Sequence, residues 1–186
     1  MAKFAVFLDR DGTITEEMGY LKESEKLRLI PRSGEAIRSL NERGILAIVV
    51  SNQSGVARGY FTKEAVKKIH SKLKRLLKKE GAYLDEIYYC PHHPKFGSPK
   101  YKKNCNCRKP KPGMLLKAAK KFNLNLKKCY VIGDKVEDIK LAQNVGAKGI
   151  LVLTGYGRRS KSKKINLDHI AKDLYQAVKW ILKESG

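Results

Sequence analysis

No run in this chain approaches the roughly 20 apolar residues that a membrane-spanning helix needs, so no membrane partner is expected. The apolar stretch at the start is broken by Asp9 before it reaches signal-peptide length, which makes a cytoplasmic protein the expectation. Internal repeats and low-complexity linkers are also missing. The 186 residues therefore fit one domain, 1–186, with a single sizeable core, and a monomer is expected. Acidic residues are scarce: 18 Asp and Glu face 40 Lys and Arg, for a net charge of +22. That balance attracts polyanions, and nucleic acid is the first partner it suggests. An enzyme acting on a multiply anionic small molecule gains from the same field. Much of the lysine also falls on one amphipathic helix, as a solvated face. Cysteine is sparse, at four residues, but three of them lie near histidines, and that clustering favours metal over disulfide in a cytosolic chain.

What is present alternates. A short apolar strand, Phe4 to Leu8, is too short for a helix and delivers Asp9 and Asp11, after which Gly12 permits a sharp turn. Residues 14–30 have mixed polarity and suggest a flap beside the acids. Pro31 and Ser33 start a helix that Gly44 stops, and Ile45 to Val50 is a second buried strand. Thr62 caps a helix whose stripe is Val66, Ile69, Leu73, Leu76 and Leu77, ended by Gly81. Ile87 to Cys90 is a third strand, and it opens into a long irregular loop from Pro91 to Pro112, a length that calls for a function or a staple. Then come a helix at Met114–Phe122, a strand at Tyr130–Gly133, a helix at Val136–Val145 and a strand at Gly149–Leu153. A basic loop at 158–164 and a final helix from about Ile170 to Lys183 complete the chain. The alternation predicts an α/β fold: three layers, a mostly parallel sheet, and no insertion large enough for a cap domain.

Chemistry gathers at the strand ends, where a parallel α/β sheet places its ligands. Ser51 offers a hydroxyl there, and Asn52 with the amides beyond it can hold phosphate oxygens. Asp134 follows a strand and opens a helix, a placement that suits a hard cation such as Mg2+; Asp138, one turn on, is placed to orient the site. The pair Arg108-Lys109 precedes Pro110 and a helix. A fixed cation there would offset charge building on a transferring phosphoryl group, and the planar fork of Arg108 suits a second anionic or hydroxyl group. Cys90, His92, Cys105 and Cys107 supply three thiolates and one imidazole, the donor set of a closed tetrahedral zinc site, with His93 as the competing imidazole. Cys129 stands apart and reads as a small core residue.

Asp9-Arg10-Asp11-Gly12-Thr13 at the end of a first strand resembles the opening motif of the haloacid dehalogenase-like (HAD) phosphotransferases. The longer run Ser51-Asn52-Gln53-Ser54-Gly55-Val56-Ala57-Arg58-Gly59 resembles the branch that holds heptose bisphosphate and histidinol-phosphate phosphatases; polynucleotide 3'-phosphatases have a similar Asn-Gln loop. The first of these families also carries a Cys-x-His…Cys-x-Cys zinc loop, which selects His92 over His93. The resemblance extends from Asp9 to Thr154 and implies a Rossmann-like HAD fold without a large cap. It implies Mg2+ and Zn2+ as cofactors and, as reaction, removal of the 7-phosphate of D-glycero-D-manno-heptose 1,7-bisphosphate. On that resemblance Asp9 is the nucleophile and Asp11 the general acid and base. Mg2+ sits on Asp9, the main-chain carbonyl of Asp11, and Asp134. Ser51, Asn52 and Lys109 hold the transferred group, while Gln53, Arg58 and Arg108 are candidates for the rest of the substrate. The histidinol-phosphate reading shares these motifs, and the basic 158–164 loop leaves room for a polynucleotide 3'-phosphatase or a basic nucleic-acid-binding protein.

Overall fold

The computed structural model of the protein describes residues 4–163 and 165–185. Six strands form one parallel sheet: β1 (Ala5–Leu8), β2 (Leu46–Asn52), β3 (Glu86–Cys90), β4 (Tyr130–Gly133), β5 (Lys148–Val152) and β6 (His169–Ala171). Their order is β3-β2-β1-β4-β5-β6, with every pairing parallel. The chain winds outward from β1 to one edge and then returns to build the other half. The crevice beyond β1, between β2 and β4, is therefore the topological switch point where such sheets bind ligands. Asp9 lies there, its amide donating to the Ile132 carbonyl at 2.9 Å.

The helices are α1 (Ser33–Glu42), α2 (Lys63–Lys79), α3 (Gly113–Phe122), α4 (Val136–Gln143), α5 (Gly157–Lys161) and α6 (Leu174–Glu184). Side-chain alternation along β1 explains the layers. Val6 and Leu8 join a cluster with Ile37 and Leu40 of α1, Ile69, Leu73 and Leu77 of α2, and Val178 and Ile181 of α6. Ala5 and Phe7 face the opposite cluster, built with Met114 and Leu115 of α3 and Leu141 and Ala142 of α4. The expected three-layer α/β arrangement is present. No described helix is long and apolar enough to cross a membrane.

Four local expectations change. The final helix does not begin near Ile170: His169–Ala171 is a sixth strand, paired to β5, and Asp173 caps α6 by accepting from the Gln176 amide at 2.9 Å. A three-residue strand leaves no periodic signature, so only the sheet edge beside it makes it a strand. The 158–164 segment is helical through Lys161, as α5; Lys164 lies outside the described residues. Ser51 and Asn52 belong to β2 itself rather than to a loop beyond it, paired with Tyr89 and Cys90. The 14–30 flap is anchored: Ile14, Leu21 and Leu27 are buried in the core, and Thr15 bridges Leu29. That anchoring presents Glu17, Gly19 and Tyr20 to the crevice.

Candidate active site

A cavity of about 270 Å³ opens at the switch point, with Asp9, Asp11, Ser51, Lys109 and Lys135 in its lining and Tyr20, Phe61 and Tyr156 among its walls. Its centre is an ion-paired cluster. Lys109 is 4% exposed, and its ammonium donates to Asp9 Oδ1 at 2.8 Å, to Asp138 Oδ1 at 2.6 Å and to the Val50 carbonyl at 2.9 Å. Those three acceptors match the three protons of an ammonium group, which fixes the charge against the first acid. Burial opposes both charged forms. Asp138 and Asp9 nevertheless hold the Lys109 pKa above its ordinary value, and Lys109 with Lys135 hold the Asp9 carboxyl below its own.

Asp134 is the contrasting acid. It is fully buried, and Oδ2 accepts from the Tyr156 amide at 2.8 Å. Oδ1 has no hydrogen-bond partner; its nearest cation is Lys135 Nζ at 3.5 Å. Burial, reinforced by the charge of Asp9, pushes its pKa up to about 7. Gly12 (φ +83°) and Gly155 (φ +52°) press their backbones against this carboxylate, and a Cβ on either would run into it. An orphaned, desolvated carboxylate oxygen beside the carboxylate of Asp9 suits a hard divalent cation, which takes few carboxylates and keeps other positions for water or phosphate. Asp138 lies within the same acid group, but both of its oxygens have donors: Lys109 Nζ on Oδ1, and the Lys135 amide on Oδ2 at 3.1 Å. It anchors Lys109 and caps α4.

The second acid stands in a separate grip. Arg10, 1% exposed, donates from Nε and Nη2 to the two oxygens of Asp11 at 2.9 and 2.7 Å. Gln53 Nε2 donates to Asp11 Oδ2 at 3.0 Å and to Ser51 Oγ at 2.8 Å.

Asn52 and Arg58 make contacts that the sequence did not show. The Asn52 side chain is spent on Lys109, since Nδ2 donates to the Lys109 carbonyl at 3.2 Å and Oδ1 accepts the Lys109 amide at 3.0 Å. Asn52 thus clamps the Lys109 backbone, and these bonds leave its second Nδ2 proton unused at the cavity that Asn52 lines. Arg58 lies outside the cavity lining, its guanidinium 4.1 Å from the centroid of the Phe96 ring. Arg108 does line the cavity, with Nη1 donating to the His92 carbonyl at 3.2 Å. Three groups carried no role in the sequence reading: Arg10, His70 and Lys135. Lys135 Nζ lies 3.0 Å from Glu17 Oε2 and 3.8 Å from Asp9 Oδ2. Its place directly after Asp134 was the available signal.

Beside the cavity, the 91–112 loop folds over a knot of four side chains. The sulfurs of Cys90, Cys105 and Cys107 lie 3.2–3.4 Å apart, and His92 Nδ1 lies 3.4 Å from Cys107 and 3.7 Å from Cys90. No disulfide forms. These separations approach the edges, about 3.5–3.8 Å, of a tetrahedron with bonds of about 2.0–2.3 Å, so the donor set fits a thiolate-bound metal ion. His93 is elsewhere: its Nδ1 accepts from the Lys95 amide at 3.1 Å and its ring packs on Phe96.

A strand-end acid paired to a buried lysine, with a cation-ready acid on the neighbouring strand, defines a HAD-type phosphotransfer centre. The family model for HAD-hydrolase-like proteins matches residues 106–177. The chain is 43% identical over 189 residues to the D-glycero-D-manno-heptose-1,7-bisphosphate 7-phosphatase of Thermosynechococcus vestitus, covering 97% of this chain and 96% of the relative. It is 40% identical to the D-glycero-beta-D-manno-heptose-1,7-bisphosphate 7-phosphatase of Haemophilus ducreyi over 88% of this chain and 91% of that one. Its fold superimposes with a TM-score of 0.88 on the crystal structure of the D,D-heptose 1,7-bisphosphate phosphatase of B. bronchiseptica complexed with magnesium and phosphate, at 31% identity and covering 98% and 99% of the two chains. The chain belongs to the heptose 1,7-bisphosphate phosphatase family of HAD hydrolases.

Proposed function

We propose that the protein is a Mg2+-dependent phosphatase that removes the 7-phosphate of D-glycero-D-manno-heptose 1,7-bisphosphate. The substrate assignment rests on the relatives of that name, which resemble this chain along nearly its whole length. The chemistry rests on the Asp9–Lys109 pair at the switch point.

A carboxylate oxygen of Asp9 attacks phosphorus in line; the bond from phosphorus to the C7 oxygen breaks, leaving an aspartyl-phosphate. Asp11 gives its proton to the departing sugar oxygen. It then takes one from the water that attacks the aspartyl-phosphate, which frees inorganic phosphate and restores Asp9. Lys109, positioned by Asn52 and Asp138, faces the charge that builds on the phosphoryl oxygens. Ser51 supplies a hydroxyl at the same end, and Gln53 ties it to Asp11. Arg108 is the cation available for the far end of the substrate; Arg58 acts on the loop through Phe96. A carboxylate oxygen of Asp9, the main-chain carbonyl of Asp11 and Asp134 would hold Mg2+, which supplies positive charge to the phosphoryl oxygens. Cys90, His92, Cys105 and Cys107 would hold a structural Zn2+, which would pin the loop carrying Arg108 and Lys109.

The test is phosphate release, with Mg2+ and with chelator, from both anomers of heptose 1,7-bisphosphate, histidinol phosphate and a 3'-phosphorylated DNA oligonucleotide. Mg2+-dependent release fastest from a heptose anomer is the expected result. Faster release from histidinol phosphate or the oligonucleotide overturns the substrate assignment.

A further inference from the structure

His70 lies on the core-facing stripe of α2, beside Ile69 and one turn from Val66 and Leu73, yet it is an imidazole. Packing alone does not ask for one. It is 9% exposed, and its ring meets Tyr89 edge-on at 5.4 Å between centroids. Its Nε2 lies 3.3 Å from Arg10 Nη1. A guanidinium only donates, so Nε2 carries the lone pair and the ring proton sits on Nδ1. Burial and the adjoining Arg10 charge bring the His70 pKa down to about 3, so the ring is a neutral acceptor at any working pH.

The consequence lies one contact further on. Arg10 grips Asp11 with Nε and Nη2, and Nη1 is the remaining corner of its fork. With His70 on that corner, the buried guanidinium is held at both ends of its plane. Without it, a desolvated donor is left unpaired and the fork is free to turn toward another acceptor. Gln53, and Thr15 at 3.5 Å, touch the Asp11 carboxylate; Thr15 Oγ1 also donates to the Arg10 main-chain carbonyl at 3.2 Å, but neither side chain bonds the Arg10 guanidinium.

We propose that His70 is a positioning residue for proton transfer, fixing the Asp11 carboxylate through the Arg10 guanidinium. The proposal rests on the reading of Asp11 as the general acid. A sugar alkoxide is a poor leaving group and needs that proton, whereas p-nitrophenolate leaves without one. Because kcat/KM reports steps up to the transfer of the phosphoryl group to Asp9, comparing the two substrates isolates the acid.

The experiment measures kcat/KM for heptose 1,7-bisphosphate and for p-nitrophenyl phosphate in His70→Leu, His70→Asn, His70→Gln and Asp11→Asn, each assayed below its own Tm. His70→Leu is expected to lose about tenfold on the sugar and no more than about twofold on the aryl phosphate, the scale of a misplaced catalytic group. His70→Asn, polar but too short to reach Arg10, is expected to match it. In His70→Gln the amide oxygen takes the place of Nε2, and the sugar rate is expected to return to within about threefold of the parent. If His70→Leu does not fold, Asn against Gln decides. Equal losses on both substrates, or Gln no better than Asn and Leu, overturn the proposal. Asp11→Asn separates the two ways of failing. A selective loss there without one in the His70 variants refutes only the role of His70. Equal loss on both substrates in Asp11→Asn removes the acid assignment, and the proposal with it.

Discussion

Replacing Asp134 with Asn is expected to stabilise the metal-free protein while abolishing its response to Mg2+. The reason is the cost of keeping this carboxylate charged. Its pKa stands at about 7 in the folded protein against an ordinary value of 3.8, chiefly through burial and then through the charge of Asp9. Between those values the folded protein binds a proton that the unfolded chain has released, so stability falls as pH rises through the window. The loss is complete just above pH 7. At about 1.4 kcal/mol per tenfold change in proton affinity, the full gap is worth about 4 kcal/mol. The Asn variant keeps an oxygen for the Tyr156 amide, which now sits 2.8 Å from Oδ2, and its NH2 group can donate toward Asp9. For a chain of this size each kcal/mol moves Tm by about 2–4 °C, so the variant in EDTA at pH 8 should melt about 5 °C or more above the parent. At pH 5 the gap should shrink to less than half of that. Mg2+ should raise the parent's Tm at pH 8 and leave the variant's unchanged, with phosphatase activity lost. A variant that melts below the parent in EDTA at pH 8, or a gap that ignores pH, would refute the reasoning.

Three other expectations follow from the same geometry. Cys107→Ser, which removes the sulfur within 3.4 Å of the other three donor atoms, should abolish bound zinc and lower Tm by several degrees, with activity falling only as the 91–112 loop loosens; full activity and an unchanged Tm at zero zinc would contradict this. Asn52→Ala removes two hydrogen bonds from the Lys109 backbone, each worth about 1 kcal/mol, and should cut kcat by about 10- to 100-fold with KM nearly constant; a raised KM at constant kcat would return Asn52 to the substrate. The +22 charge should steer a multiply anionic substrate, so kcat/KM should fall several-fold between about 50 and 500 mM KCl while kcat holds, and a flat profile would leave the charge without a catalytic part.

Five of the six described strands, most of the helices and the Cys/His knot were legible because each leaves a local signature: apolar runs, helical stripes, Gly stops, and cysteines close together in the chain. Sheet order was not, because Asp9 and Asp134 are 125 positions apart and only the crossover between β3 and β4 puts them side by side. The edge strand His169–Ala171 was missed because three residues show no period, and its pairing with β5 decides its state. The Asn52 clamp was missed for a related reason. An Asn at a strand end advertises two polar groups, but not which neighbour takes them, and the neighbour is Lys109, 57 residues away. His70 and Arg10 were invisible for the opposite reason: one lies in an apolar stripe and the other between two aspartates, so each reads as its surroundings.

The charge count of the cluster ties these findings together. Five carboxylates, Asp9, Asp11, Glu17, Asp134 and Asp138, are in ion-pair contact with three cations, Arg10, Lys109 and Lys135. In a protein of net charge +22, its chemical centre alone is short of two positive charges. The shortfall falls unevenly. Asp9 is kept well below its ordinary pKa by two lysines, whereas Asp134 and Asp138 are pushed up to about 7 and about 6, mainly by burial. Asp138 has a donor on each oxygen, so the deficit shows at Asp134, whose buried Oδ1 has no hydrogen-bond partner. One divalent cation there closes the count, and it does so beside Asp9, the carboxylate proposed to attack phosphorus. A univalent ion leaves the centre one charge short, and a hydrogen-bonding side chain in place of Asp134 removes a negative charge without supplying a positive one to the incoming phosphate. The acid that costs the metal-free fold most is thus the one whose charge the cation needs, which is why stability and activity should move in opposite directions in Asp134→Asn.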